Sequence, residues 1–230
     1  MPLPTLETPT YELAIPSTKK LIKYRPFLVK EEKILLIAQE SEEESEILSA
    51  TKQIIEACAF NNIKCDELTV YDIEYIFLKI RAKSVGESID FKGQCQHCEE
   101  QIDFHVNIDE VEIFFPESID NKIDLGNGVG ITLKPIRVKD LDNIDEEDLI
   151  SSVAAVIESI YDNENVYTPE NFSQEEIFDF VGNLQHDDLQ KVQKFIENQP
   201  VLKHTISSTC PCDKKKKSTY TLQGLESFFI

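Results

Sequence analysis

The sequence predicts a single α+β protein over residues 1–230, in which two helical blocks alternate with β-hairpins. Apolar residues recur at helical spacing in two long stretches, which is typical of amphipathic helices packed on a core. Elsewhere, short runs of alternating apolar and polar residues flank turn residues, which is typical of β-hairpins. Two cysteine pairs, Cys95/Cys98 and Cys210/Cys212, occupy two of those turns. They predict a zinc-ribbon-like pair of knuckles that joins distant segments.

The first half of the chain begins with an N-terminal β-hairpin segment over residues 1–28. Pro16-Ser17-Thr18 predicts the turn between strands Tyr11–Ile15 and Lys20–Tyr24. A helical block is predicted over residues 29–86. Its helices are expected at Lys30–Gln39, Glu43–Phe60 and Val70–Ala82. Apolar residues lie along one face of the second and third helices, so we expect both to pack on the core.

The second half contains the two ribbon-like hairpins and what lies between them. We expect one hairpin at residues 87–107 and the other at residues 202–224, each around a cysteine pair. Gly126-Asn127-Gly128 predicts the turn of another hairpin, from Lys122 to Leu133. An inserted helical block is predicted over residues 138–200. Its signals are an apolar helical face from Leu149 to Ile160, a capping box at Ser173 and Glu176, and a helix from Asp187 to the stop at Asn198-Gln199-Pro200.

The two cysteine pairs could supply four thiolates to one tetrahedral zinc ion, the usual ligand set of a structural zinc site. Cys95 and Cys98 have the standard two-residue spacer, whereas one residue separates Cys210 from Cys212. The narrower second pair leaves two interpretations open: a four-cysteine zinc site, or reduced knuckles that hold no metal. His97 lies inside the first knuckle and is either a substitute ligand or an exposed side chain.

The charge of the chain argues against several classes of partner. There are 43 acidic and 23 basic side chains, which give a formal net charge of −20. Such a surface repels nucleic acid and anionic membranes, so we expect neither as a partner. Residues 214–217 are consecutive lysines, which form either a solvated hairpin tip or a contact for an acidic partner. Residues 1–7 lack signal-peptide features, so we expect reduced cysteines in a cytoplasm.

The sequence carries no catalytic signature. The histidines form no metalloprotease motif, and neither a nucleophile elbow nor a Walker loop is present. The acidic run Asp140–Asp148 does not fit a calcium loop, because Ile144 and Asp145 stand where an oxygen ligand and a glycine are needed. We therefore predict that the protein is not an enzyme and has no catalytic residues.

The opening of the chain resembles a known phage protein family. Residues Thr8–Thr18 and Ile22–Lys33 are similar to the start of the baseplate protein family of T-even-type contractile-tailed bacteriophages, whose members act in assembly of the baseplate hub. Both cysteine knuckles and the closing Leu225–Phe229 segment are similar as well, so the likeness spans nearly the whole chain. The family's second knuckle commonly reads C-P-x-C-G, whereas Cys210–Asp213 lacks the spacer and the glycine. That departure bears on metal binding.

The resemblance implies a baseplate hub assembly factor or minor baseplate component that acts by binding other proteins. Its partners would be phage baseplate hub proteins. Its location would be the cytoplasm of the infected bacterial host or the tail baseplate of the virion. Aromatic anchors are efficient sources of binding energy, so two segments are candidate partner contacts. The candidate residues are Tyr24, Arg25, Phe27, Phe228 and Phe229. The alternative is that these residues pack in the protein's own core.

A second functional class competes with this one. Zinc ribbons commonly occur in regulatory or nucleic-acid-associated binding proteins, and the lysines at 214–217 could serve such a role. The net charge of −20 opposes it, because it repels the phosphate backbone.

Overall fold

The computed structural model describes residues 6–41, 43–116, 120–145 and 147–228. Helices and sheets are mixed along the chain, which confirms the predicted mixed class. The chain divides into two compact units. The first unit comprises Met1–Cys65, Tyr71–Phe114 and Val201–Ile230, and the second comprises Asp66–Val70 and Phe115–Pro200.

The described residues form six α-helices and eleven strands. The helices are α1 (Val29–Ser41), α2 (Glu44–Cys58), α3 (Val70–Ser84), α4 (Leu149–Val156), α5 (Gln174–Gly182) and α6 (His186–Glu197). The strands are β1 (Tyr11–Ala14), β2 (Leu21–Tyr24), β3 (Ser88–Gln94), β4 (Gln101–Asn107), β5 (Glu112–Phe114), β6 (Lys122–Gly126), β7 (Val129–Leu133), β8 (Ile157–Tyr161), β9 (Val166–Tyr167), β10 (Val201–Thr209) and β11 (Lys217–Gln223). The sheets are β1-β2, β3-β4, β11-β10-β5 and β6-β7-β8-β9, and all their strand pairs are antiparallel.

Helix α3 is deeply buried in the first unit. Ile76, Phe77 and Leu78 have no exposed surface, so successive residues of this helix face the core on all sides. Asp72, in its first turn, accepts hydrogen bonds from the N–H and the hydroxyl of Ser17, at 2.9 and 2.5 Å. These bonds attach the β1–β2 turn to the helix. The predicted N-terminal hairpin and the three predicted helices of this block are all present, with small shifts at their ends.

The strands of the first unit include one that the sequence did not predict. No element was predicted for Glu112–Phe114, but these residues form β5 and pair with the start of β10, with Leu202 opposite Ile113. Leu202 is fully buried, whereas Phe114 is half-exposed. The strand is too short for its alternation to be recognised in isolation, and its hydrogen-bond partner lies far along the chain.

In the second unit, one helix ends earlier than the sequence predicts. The apolar face from Leu149 to Ile160 predicts one continuous helix, but α4 ends at Val156 and β8 begins at the next residue. Strand β8 pairs with β7, so Ile160 lies opposite Ile131. β-Branched and aromatic residues dominate β8, and they favour a strand where a sheet edge can accept their backbone hydrogen bonds.

The other local predictions in this unit are correct. The β6–β7 hairpin forms at the predicted turn, with Asn127 at a positive φ of 55°. At the start of α5, Ser173 N–H donates to the Glu176 carboxylate at 2.7 Å, and Glu176 N–H donates to the Ser173 hydroxyl at 3.3 Å. These reciprocal bonds are the predicted capping box. Among the residues described, none of the helices has the length and apolar character needed to cross a bilayer.

Candidate metal centre

The two predicted knuckles close the tips of two hairpins in the first unit. In the β3–β4 turn, the N–H of Cys95 donates to the carbonyl of Glu100 at 2.8 Å. In the β10–β11 turn, the N–H of Cys210 donates to the carbonyl of Lys216 at 3.0 Å. Cys95 and Cys210 are both buried and belong to the hydrophobic core of the unit. Each turn therefore fixes its first cysteine at the end of a strand, with the side chain directed inward.

The structure brings the two pairs of sulfurs together, as the sequence predicts. The ligand atoms of Cys95, Cys98 and Cys210 all lie within 4.8 Å of one another. The Sγ atoms of Cys98 and Cys210 are 3.7 Å apart, and those of Cys210 and Cys212 are 3.1 Å apart. Cys212 is the exposed member of the group. Four thiols thus form one cluster that could hold a metal ion.

The distances can be compared with those of a tetrahedral thiolate site. Zinc–sulfur bonds of about 2.3 Å place neighbouring sulfurs roughly 3.8 Å apart. The 3.7 Å separation of Cys98 and Cys210 already meets this requirement. The 3.1 Å separation within the second pair is short, so Cys212 must move outward for all four sulfurs to bind one ion. Its exposure leaves room for that movement. The donor set therefore fits a closed, structural metal site.

Hydrogen bonds that involve no sulfur also join the two hairpins. The N–H of Gln96 donates to the hydroxyl of Ser218 at 2.9 Å, and the Gln96 side-chain amide donates to the carbonyl of Thr219 at 2.8 Å. Ser218 has no exposed surface. These bonds attach the first knuckle to the beginning of β11, and they set the position of one cysteine pair relative to the other.

Aromatic rings pack the two hairpins together beside the thiols. The rings of Phe91 and Phe104 stack with centroids 5.4 Å apart, and Tyr220 of β11 lies 5.3 and 5.8 Å from them. Gly93 makes room for this arrangement, because a Cβ at that position would lie 2.8 Å from the Phe104 ring. Burial of this aromatic surface stabilises the hairpin pair without any contribution from a metal.

Comparison with known proteins identifies the family of this chain. A family model described as T4 bacteriophage base plate protein matches residues 8–230, nearly the whole chain. The chain belongs to this base plate family. The match confirms the resemblance seen in the opening segment and the knuckles. Comparisons with curated proteins and with solved structures give no significant match.

The thiols of this base plate protein differ in acidity. The hydrogen bond from Cys212 lowers the pKa of Cys210 to about 7. The same bond, together with one to Cys98, raises the pKa of Cys212 to about 12. Of these two thiols, Cys210 is therefore the first to lose its proton. A metal ion replaces such protons when it binds, because thiolates are the ligands.

His97 of the base plate protein is exposed, which is one of the two interpretations that the sequence left open. Its Nε2 lies 3.1 Å from the carbonyl oxygen of Lys217, which can only accept, so this nitrogen carries the proton and donates. The bond adds to the attachment of the first knuckle to β11. Nε2 is consequently engaged in this bond, and the cluster that could hold a metal among the described residues consists of cysteines.

The predicted partner-contact segment near residue 25 lies largely inside the base plate protein. Tyr24 and Arg25 are buried. The Arg25 guanidinium donates to the Glu31 carboxylate at 3.0 and 3.4 Å and to the carbonyl of Pro26 at 2.9 Å. The backbone N–H of Phe27 donates to the Ser84 hydroxyl at 2.9 Å. These contacts favour the packing alternative for Tyr24 and Arg25, and partner binding by this segment stays a prediction.

Of the two C-terminal candidates for partner contact, one is buried in the core and the other lies outside the described residues. Phe228 has no exposed surface and packs in the same hydrophobic cluster as Cys95 and Cys210. Its burial favours the packing alternative. Phe229 lies outside the described residues. Partner binding by these two side chains stays a prediction that a mutational test can decide.

Sequence reasoning missed the residues that align the knuckles. Gln96 was seen only as a spacer residue between Cys95 and Cys98, Ser218 belongs to no motif, and their contact spans 122 positions of the chain. Tyr220 lies within the hairpin predicted at residues 202–224, but the contact of its ring with Phe91 and Phe104 was not predicted. A weak signal existed in the alternation of β11, where Ser218, Tyr220 and Leu222 share one face.

The second unit contains a cavity of about 270 Å³ between α4 and the start of α5. Its charged side chains are Lys134 and Asp140, whose Nζ and Oδ1 atoms lie 3.0 Å apart. Asp140 also accepts the backbone N–H of Arg137 at 3.1 Å. Both charges therefore serve local structure.

Proposed function

We propose that this base plate protein is a baseplate hub assembly factor or a minor baseplate component that acts by protein–protein binding, without enzymatic turnover. The family match over residues 8–230 carries the proposal. Its partners are phage baseplate hub proteins. It meets them in the cytoplasm of the infected bacterial host. A minor component would also stay in the tail baseplate of the virion, whereas an assembly factor would not.

The thiol cluster supports a structural role for zinc in this function. Cys95, Cys98, Cys210 and Cys212 are the proposed ligands, supported by the 3.7 Å contact of Cys98 with Cys210. Bound zinc supplies a cross-link between the two hairpins. A site closed by four thiolates has no open position for substrate, so it stabilises a surface and performs no reaction.

Charge supports protein partners over nucleic acid. The net charge of −20 repels phosphates at long range. The lysines at 214–217 are all exposed at the second hairpin tip, where they can contact an acidic protein surface. For the alternative, a zinc-ribbon regulatory or nucleic-acid-associated protein, titration with fluorescent single-stranded and duplex DNA at low salt is the direct measurement. Binding that falls steeply with added salt favours that alternative.

Affinity purification from infected cells tests the main proposal. The tagged chain, expressed during infection, is expected to retain hub proteins, identified by mass spectrometry and compared with an unrelated acidic phage protein of equal expression. Mass spectrometry of purified virions then separates a transient assembly factor from a retained component. Recovery of no baseplate protein from infected cells, with the chain also lacking from virions, overturns the proposal.

A further inference from the structure

One face of α1 is both apolar and exposed. Val29, Leu36 and Ile37 have 80%, 54% and 55% of their surface exposed. On the opposite side of the helix, Leu35 and Ala38 are buried. Helix α1 therefore carries apolar residues on two sides, and the described part of the chain covers one of them. Single exposed apolar side chains are common, but a strip along one helix face marks an interaction surface.

Two opposite charges lie on the same face. Lys33 and Glu40 are exposed, and they are seven residues apart, about two helical turns. At about 100° per residue, they fall in the same arc of roughly 100° as Val29, Leu36 and Ile37. The face therefore presents an apolar centre with a positive charge toward one end and a negative charge toward the other.

We propose that this face of α1 packs against the same face of a second copy of the chain, in antiparallel orientation about a two-fold axis between Leu36 and Ile37. The axis that sets Leu36 against the partner's Ile37 also sets Lys33 against the partner's Glu40. Both pairs are centred on the same point of the helix, so one register satisfies the apolar and the charged contacts together. Symmetry repeats each contact, giving two ion pairs around four aliphatic side chains.

Self-complementarity is what selects a second copy as the occupant. The chain has a net charge of −20, so another copy is repelled at long range unless the contact itself supplies compensating charge. The α1 face supplies it through the two Lys33–Glu40 pairs. Helices overlapping over residues 32–41 share roughly 15 Å of length, which is short for a stable interface. We therefore expect a weak dimer, with a dissociation constant of roughly 1 µM to 1 mM.

Sedimentation velocity over that concentration range tests the proposal. The weight-average mass of the full chain is expected to rise from 26.3 kDa toward twice that value. Lys33→Glu and Glu40→Lys each place like charges opposite one another at two positions, so each is expected to weaken association by roughly tenfold or more. The double variant Lys33→Glu/Glu40→Lys restores opposite charges and is expected to associate like the original chain.

Mixing the two single variants gives the sharpest outcome. Each variant alone is expected to associate weakly. In a mixed pair every charged contact is again between opposite signs, so the mixture is expected to form the dimer. Lys64→Glu, an equal charge change at an exposed loop residue, is the control and is expected to leave association unchanged. Circular dichroism melts confirm that each variant is folded. A chain that stays monomeric over the whole range, or single variants that associate normally, overturns the proposal and leaves the face for a different protein.

Discussion

The backbone N–H of Gln96 donates to the hydroxyl of Ser218 at 2.9 Å, although 122 positions of the chain separate them. Ser218 is fully buried, so the acceptor of this bond is shielded from water. The contact involves no sulfur and therefore aligns the two knuckles independently of any ion. The fold itself therefore positions the thiol cluster. A bound metal would add a further cross-link between two knuckles that are already aligned.

Ser218→Ala should expose the importance of this bond. The variant removes the acceptor of the Gln96 N–H, so the free energy of unfolding is expected to fall by about 0.5–1.5 kcal/mol in denaturant titrations. Ser207→Ala removes an exposed hydroxyl from the neighbouring strand β10 and is expected to change stability by less than about 0.5 kcal/mol. Equal effects of the two variants contradict a stabilising role for the Gln96–Ser218 bond.

Zinc binding can be measured directly. Protein prepared with zinc is expected to hold one ion per chain, and substitution by cobalt should give the absorption of a tetrahedral thiolate site. Cys98→Ser and Cys210→Ser are expected to lose the ion, since these sulfurs form the contact between the pairs. Cys58→Ala and His97→Ala are the controls and should retain it. Metal retained at full occupancy by the serine variants contradicts the proposed ligand set.

The Arg25–Glu31 pair predicts a pH dependence of stability. Burial acts to raise the pKa of Glu31, but hydrogen bonds from Arg25 and from the Leu28 N–H hold that pKa below its usual value of 4.5. A carboxyl group whose pKa is lower in the folded state stabilises the protein above the unfolded value, and this contribution is lost as pH falls through the folded pKa. Stability should therefore decline on acidification below about pH 4.5.

Glu31→Gln isolates this contribution. The change removes the carboxylate charge that pairs with the buried Arg25 guanidinium, so at pH 7 it is expected to cost about 3–5 kcal/mol. Between pH 5 and pH 3 the variant should lose less stability than the original chain, because the titrating group is gone. Glu12→Gln, which removes an exposed carboxylate 3.9 Å from Lys23, is the matched control. If the stability of Glu31→Gln and that of the original chain fall equally between pH 5 and pH 3, Glu31 is not the titrating group.

The C-terminal phenylalanines can be tested separately. Phe228→Ala is expected to lower the free energy of unfolding by about 3–5 kcal/mol, since the side chain is fully buried. Phe229→Ala tests partner docking. Loss of hub binding with an unchanged melting temperature supports docking, and a lowered melting temperature supports packing. An unchanged melting temperature for Phe228→Ala contradicts its place in the core.

A glycine pair tests the packing of the second unit. A Cβ on Gly130 would lie 2.8 Å from the backbone oxygen of Ile123 and would also meet the Tyr161 hydroxyl, so Gly130→Ala is expected to destabilise strand β7 by about 1–3 kcal/mol. Gly182, at the end of α5, has open space around it, and Gly182→Ala is expected to be neutral or stabilising. Thermal unfolding of both variants gives the comparison, and similar shifts contradict the close approach.

Local chemistry was sufficient to predict much of this fold. The capping box at Ser173, the turn at Asn127 and the cysteine knuckles each depend on neighbouring residues, and each is present. Residues Ile157–Tyr161 were misassigned because their apolar pattern fits a helix and a strand equally well. The free edge of β7 decides between the two, and no short stretch of sequence contains that information.

The same limit applies to the candidate site. The cysteine spacing identifies the sulfurs, because a turn with two thiols is a local pattern. The Gln96–Ser218 bond and the Tyr220 ring belong to contacts between strands that are remote in sequence. Such partners are set by register, which only the assembled sheet fixes.

Because the two knuckles are far apart along the chain, they can meet only after a delay during translation. Cys210 follows Cys98 by 112 positions, so a ribosome adding about 5–20 residues per second needs roughly 5–20 s to reach the second thiol pair after the first. Residues 115–200 emerge during that interval. The segment between the knuckles can therefore become compact before strands β10 and β11 of the first unit have been synthesised.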